Sequence, residues 1–94
     1  MNARDIGIPI RLDVLEDVSD GTAFQIKMLS NDTGALKTFA ALLMGGSNQI
    51  LEYVTQDKDD VPDSGGYQLQ AYVEQPTQKR HSEIATITVG KVLA

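Results

Sequence analysis

Asp63-Ser64-Gly65-Gly66-Tyr67-Gln68-Leu69-Gln70-Ala71-Tyr72-Val73-Glu74 is the stretch whose reading decides the fold. It is a turn that feeds a strand. Asp63 supplies a polar cap, and Gly65 and Gly66 tolerate the positive φ that tight turns demand. Beyond them Tyr67, Leu69, Ala71 and Val73 alternate with Gln68, Gln70, Tyr72 and Glu74, the two-residue period of a strand with one apolar face.

The same period recurs on both sides of this stretch. Ile6, Ile8, Ile10, Leu12 and Val14 share one phase, which predicts a half-buried strand over 6–14. Pro9 has no N–H for a ladder, so that strand belongs at a sheet edge or breaks near Pro9. Glu16 to Gly21 reads as a polar loop. Phe24, Ile26 and Met28 mark a second strand over 22–29, ended by the turn Asn31-Asp32-Thr33-Gly34. Leu51, Tyr53 and Thr55 alternate with Ile50, Glu52 and Val54 in a strand over 49–56, β-branched and aromatic in character. Asp57 to Pro62 is a charged connection and Gln75 to Arg80 a polar turn. Ala85, Ile87 and Val89 place the closing strand within 82–93.

Only residues 35–44 resist this period. Leu36, Phe39, Ala40 and Leu43 fit one helix face, capped by Asp32 or Thr33 and stopped by Gly45. We read the segment as a strand, because a short helix gains little from propensity alone. The alternative is an α+β fold with a short helix at 35–44. Six or seven short strands separated by turn signals otherwise give an all-β, antiparallel sandwich in one domain, residues 1–94.

Bulk properties narrow the function. Thirteen acidic against eight basic residues give a net charge of −5, the wrong sign for neutralising phosphates, so no nucleic-acid partner is expected. The chain has no cysteine, which removes disulfides, thiolate metal sites and cysteine nucleophiles. No run reaches the roughly 20 apolar residues of a membrane span, and the N-terminus lacks the apolar core of a signal peptide. No membrane partner is expected.

Candidate chemistry is sparse. Asp57, Asp59, Asp60 and Asp63 offer oxygens to a hard cation, yet Val61 and Pro62 fall where a calcium loop needs a ligand and a glycine. The expectation is a solvated loop with Asp63 accepting turn N–H bonds. His81 follows Lys79 and Arg80, whose charge disfavours a second cation, and no other histidine is present to complete a metal site. Ser64 and Ser82 have no base at a recognisable spacing, and Gly45-Gly46-Ser47 lacks the lysine of a phosphate loop. No catalytic, cofactor-binding or metal-binding residue is assigned, and no cofactor is expected. The candidates that remain are for an interface: Leu15, Leu29, Ile50, Val54, Tyr72 and Leu93 on outward phases, with the basic Lys79 and Arg80. Such residues mark an interface where they cluster on one face or edge.

Asp63, Gly65 and Tyr67 resemble the corner that leads into strand F of immunoglobulin-like sandwiches, where the tyrosine hydroxyl bonds back to upstream backbone. Leu69 stands where the second cysteine of antibody domains would fall. The run Thr22 to Met28, the Asn31–Gly34 turn, Tyr53-Val54-Thr55, Ser64 to Val73 and the strand Ser82 to Val89 together resemble the small Ig-like domains of tailed bacteriophage virions. These are similar to the N-terminal domains of baseplate upper proteins and to stand-alone head or tail decoration modules. The resemblance implies an immunoglobulin-like β-sandwich with a non-enzymatic structural role, docked on the phage head or on the tail and baseplate. It implies partnership with other phage structural proteins and with further copies of the chain, and a place in the virion after synthesis in the host cytoplasm. A host-surface recognition module is the alternative, using the loops 16–21, 31–34 and 75–81.

Overall fold

A computed structural model describes residues 2–90 and contains eight strands and no helix in that range. They are β1 Pro9–Asp13, β2 Ala23–Ser30, β3 Leu36–Ala40, β4 Leu42–Leu43, β5 Ile50–Val54, β6 Gly65–Gln75, β7 Gln78–His81 and β8 Ala85–Val89. One sheet has the order β1-β5-β4. The other has the order β3-β2-β6-β7, with β8 also paired to β6, and every pairing between these strands is antiparallel. In an immunoglobulin-type layout β1, β5 and β4 take the places of strands B, E and D. β3, β2 and β6 take those of C′, C and F.

β7 and β8 together fill the place of strand G as one interrupted edge. Tyr72 pairs with His81, and Leu69 pairs with Ala85. Gln70 and Ala71 therefore face three residues, Ser82 to Ile84, and the extra one is a β-bulge. Ser82 holds it: its N–H donates to Ala71 O at 3.0 Å, and its hydroxyl accepts from Ala71 N–H at 2.9 Å. The polar turn expected over 75–80 is thus tighter than its composition suggests, because Gln78 to Arg80 already belong to a strand.

Residues 35–44 are strand, and the helix alternative is overturned. β3 pairs with β2 in the five-stranded sheet, while β4 pairs with β5 in the other. The chain changes sheets at Ala41, whose N–H still reaches Phe24 O at 3.0 Å. A segment that serves two sheets in succession shows no clean period in sequence.

Pro9 is the first residue of β1, and β1 is a sheet edge, so the missing N–H costs no ladder bond. Residues 6–8 are not strand. Gly7 takes φ 78, and Gly7 and Ile8 both bond Thr55, through Gly7 N–H to Thr55 O at 2.7 Å and Thr55 N–H to Ile8 O at 3.0 Å. Thr55 is almost fully buried and its hydroxyl is satisfied, accepting from Ile8 N–H and donating to Asp5 O.

The core is the set of inward phases read from sequence: Ile10 and Leu12 on β1, Ile26 and Met28 on β2, Leu51 on β5, and alternate residues of β6. Two core valines come from loops, not from strands. Val18 and Val61 are 2% and 1% exposed, each inside a stretch of charged residues. Each plugs one end of the sandwich and is tied by backbone, Val18 N–H to Asn48 O at 2.8 Å and Arg4 N–H to Val61 O at 2.7 Å. Burying one such side chain fully is worth about 1.5–3 kcal/mol.

Candidate interaction surfaces

The corner closes through its tyrosine. Tyr67 is buried and its hydroxyl donates to Asp63 O at 2.7 Å, which joins the start of β6 to the loop below it. Gly65 takes φ 122, and a Cβ there would collide with the Asp32 carboxylate. Asp63 acts through its carbonyl. Its exposed side chain accepts no hydrogen bond among the described residues, contrary to the turn-capping role expected of it.

Asp60 performs that role instead. Its Oδ2 accepts from Tyr53 Oη at 2.7 Å, Gln56 N–H at 2.9 Å and Asp57 N–H at 3.3 Å. Burial alone raises the pKa of this carboxyl, but these donors and the nearby Lys37 charge outweigh it and leave the pKa lowered. Burial, then the bond to Asp60 and its charge, push the Tyr53 hydroxyl up to about 12. Both groups move away from neutrality, whereas proton transfer near pH 7 needs a pKa moved toward it. The pair holds a loop in place, and Phe39 stacks on Tyr53 with ring centroids 4.5 Å apart.

The outward apolar residues fall on separate surfaces. On the outer face of the five-stranded sheet Leu29 pairs across the ladder with Leu36 and with Gln68. Together with Ile84 and the stems of Lys27 and Gln70 they line a shallow depression of about 290 Å³. Leu36 and Ile84 are 61% and 60% exposed. Tyr72 stands on this same face but is occupied by its own neighbours. Its hydroxyl donates to Glu74 at 2.9 Å, His81 tilts against its ring at 5.0 Å, and Lys27 Nζ lies 5.3 Å from its centroid.

Ile50 and Val54 lie on the outer face of the opposite sheet, opposite Asp13 and Pro9, with the exposed Leu42 beside them across β5. Arg11 and Glu52 form a 2.7 Å ion pair in the middle of this face. Leu15 lies elsewhere again, at the end of the sandwich where the β1–β2 loop meets β7. It is 72% exposed and holds φ 62, a left-handed conformation unusual for a leucine. Arg80 reaches across this end to pair with Glu16, and Lys79 lies 4.0 Å from Glu74. Leu93 lies outside the described residues.

The loops divide in the same manner. Residues 16–21 and 75–81 meet at one end, where Gln75 Nε2 donates to Asp20 at 2.8 Å beside the Glu16–Arg80 pair. Asn31 to Gly34 sit at the other end, tied through Asn31 N–H to Gly66 O at 2.9 Å. The three loops do not share one recognition surface. Ile6, Leu36, Leu42 and Ile84, the large exposed apolar residues absent from the sequence-based set, stand ahead of a strand or where the chain joins one, and strand period carries little information there; Ile6, read as inward, is exposed because β1 begins only at Pro9. No family model, curated protein or solved structure matches the chain.

Proposed function

We propose that this chain is a non-enzymatic structural module of a tailed-phage virion, docking onto the head or the tail and baseplate assembly. The observation that carries the docking role is the apolar depression framed by Leu29, Leu36 and Ile84 on an otherwise polar sheet face. A rigid face with an apolar centre and a polar rim of Lys27, Gln68 and Gln70 has the composition of a protein-binding patch. The phage setting rests on the sequence resemblance, to which an immunoglobulin-type strand order and a bonded Tyr67 corner lend support. Many copies held by symmetry supply through avidity what one small patch lacks.

Mass spectrometry of purified particles from the source, with stoichiometry, tests the proposal. Hundreds of copies per particle place the module on the head, and a handful place it on the tail. Absence from the particle overturns the virion role. The double variant L36K/I84K keeps the fold and loses incorporation if the depression is the docking site.

A further inference from the structure

Sheet edges invite other strands, and natural proteins blunt them with proline, charge, bulges or brevity. Three of the four edges here are treated this way. β1 begins with Pro9 after the Gly7–Ile8 bulge and turns Arg11 and Asp13 outward; β4 is two residues long; β3 carries Lys37. The fourth edge is divided. Its β7 half carries Lys79, Arg80 and His81, while its β8 half reads Ala85-Thr86-Ile87-Thr88-Val89, uncharged, free of proline and β-branched at four of five positions.

The ladder shows which backbone groups of β8 have no partner among the described residues. Gly90 O accepts from Ala3 N–H at 2.9 Å, and the Asn2–Gly90 bridge lies on the side away from β6. Backbone groups alternate sides along an antiparallel strand, so Thr86 and Thr88 also turn their N–H and C=O away from β6. Both side chains are exposed. Beside this edge the two sheets part, leaving a cleft of about 380 Å³ lined by Ile8, Ile10, Leu69 and Ile87.

We propose that β8 is where a second copy of this chain adds to the sheet, antiparallel and centred on Ile87. In that register Thr86 faces Thr88 of the second copy and the reverse, so the outward N–H and C=O groups of both residues are paired, and Asn2 and Ala3, which hold the outer side of Gly90 in the single chain, give way to the end of the incoming strand. Threonine opposite threonine is a favourable cross-strand pair. The two Ile87 side chains meet on the inner face beside the cleft. A second copy suits this edge because the segment is self-complementary about its centre and neutral, so two chains of net charge −5 meet without like charges opposed at the contact.

This deepens the oligomeric part of the proposed function. Sedimentation equilibrium of the whole chain, with amide exchange followed by NMR at low and high concentration, tests it. The expected result is a concentration-dependent dimer in which the Thr86 and Thr88 amides become protected only as the dimer forms. T86K/T88K, which sets lysines opposite one another on an exposed face, weakens the dimer about tenfold or more and still melts cooperatively. Thr88→Pro removes an outward N–H without touching the β6 ladder and gives the same loss, so a folding failure in one variant leaves the other to decide. A chain that stays monomeric at millimolar concentration overturns the proposal. So does a dimer that both variants leave intact while the Thr88 amide exchanges freely. Absence from particles, in contrast, removes the virion role and leaves the β8 dimer standing.

Discussion

The Tyr53 hydroxyl donates to the Asp60 carboxylate at 2.7 Å, and through that bond the five-residue strand β5 governs the long loop that follows it. Two backbone N–H groups share the same oxygen. Asp60→Ala leaves three donors without their acceptor and is expected to cost about 1–3 kcal/mol in urea unfolding. The pH dependence follows from the two shifts. Asp60 has a lowered pKa in the folded chain, so its contribution is present above its ordinary value of 3.8 and is lost as pH falls through the folded value. Tyr53 is raised to about 12, so its contribution is complete below pH 10 and is lost between 10 and about 12. Thermal melts across pH should show the alkaline loss reduced in Tyr53→Phe and the acid loss reduced in Asp60→Ala.

Tyr67→Phe removes the bond to Asp63 O and keeps the buried ring. The expected cost is about 0.5–1.5 kcal/mol with the fold retained. Tyr67→Ala also opens a cavity between β6 and the loop, at about 3–5 kcal/mol. A ratio near unity between the two costs in denaturant titrations would show that the ring, and not the bond, is dispensable.

Gly65 combines a positive φ with close contact to Asp32. Gly65→Ala is expected to destabilise by about 1–3 kcal/mol. Adding Asp32→Ala should recover only the steric part, because the backbone strain remains. Full recovery in the double variant would mean that the dihedral is harmless.

Leu15 presents the reverse case, an exposed leucine in a conformation that suits glycine. Leu15→Gly should raise stability by about 1 kcal/mol, since the left-handed region costs an L-residue roughly 1–2 kcal/mol and glycine almost nothing. A stabilised variant that also lost incorporation into particles would identify Leu15 as a side chain retained for contact at the expense of the fold.

The sandwich was legible because its core strands alternate strictly. Ile10 and Leu12, Ile26 and Met28, and Tyr67 to Val73 all bury the phase that their spacing assigned to the inside. The corner was legible because a short loop and a tyrosine at fixed spacing leave few geometries. What escaped depends on distant segments. Val18 and Val61 look like single apolar residues in charged loops, and only closure of the sandwich ends makes them core. Asp60 and Asp63 are equivalent in sequence, and the position of Tyr53 selects the former. The proposed surfaces were half legible: Leu29 and Tyr72 do share a face, yet Ile50 and Val54 lie on the opposite sheet, and Leu36 and Ile84 acquire meaning only from the register that sets them beside Leu29.

β6 holds β2 along one side, and β8 and then β7 along the other. During synthesis, residues 23–30 emerge well before Gly65 to Gln75, the segment they must pair with. The five-stranded sheet cannot close until Ala85 to Val89 have also left the ribosome. Topologies ruled by such distant pairings fold in about milliseconds to seconds. The nascent chain thus carries the apolar phase of β2 unsheltered until Gly65 to Gln75 arrive, and the rate of synthesis across that interval sets how long it needs protection from its neighbours.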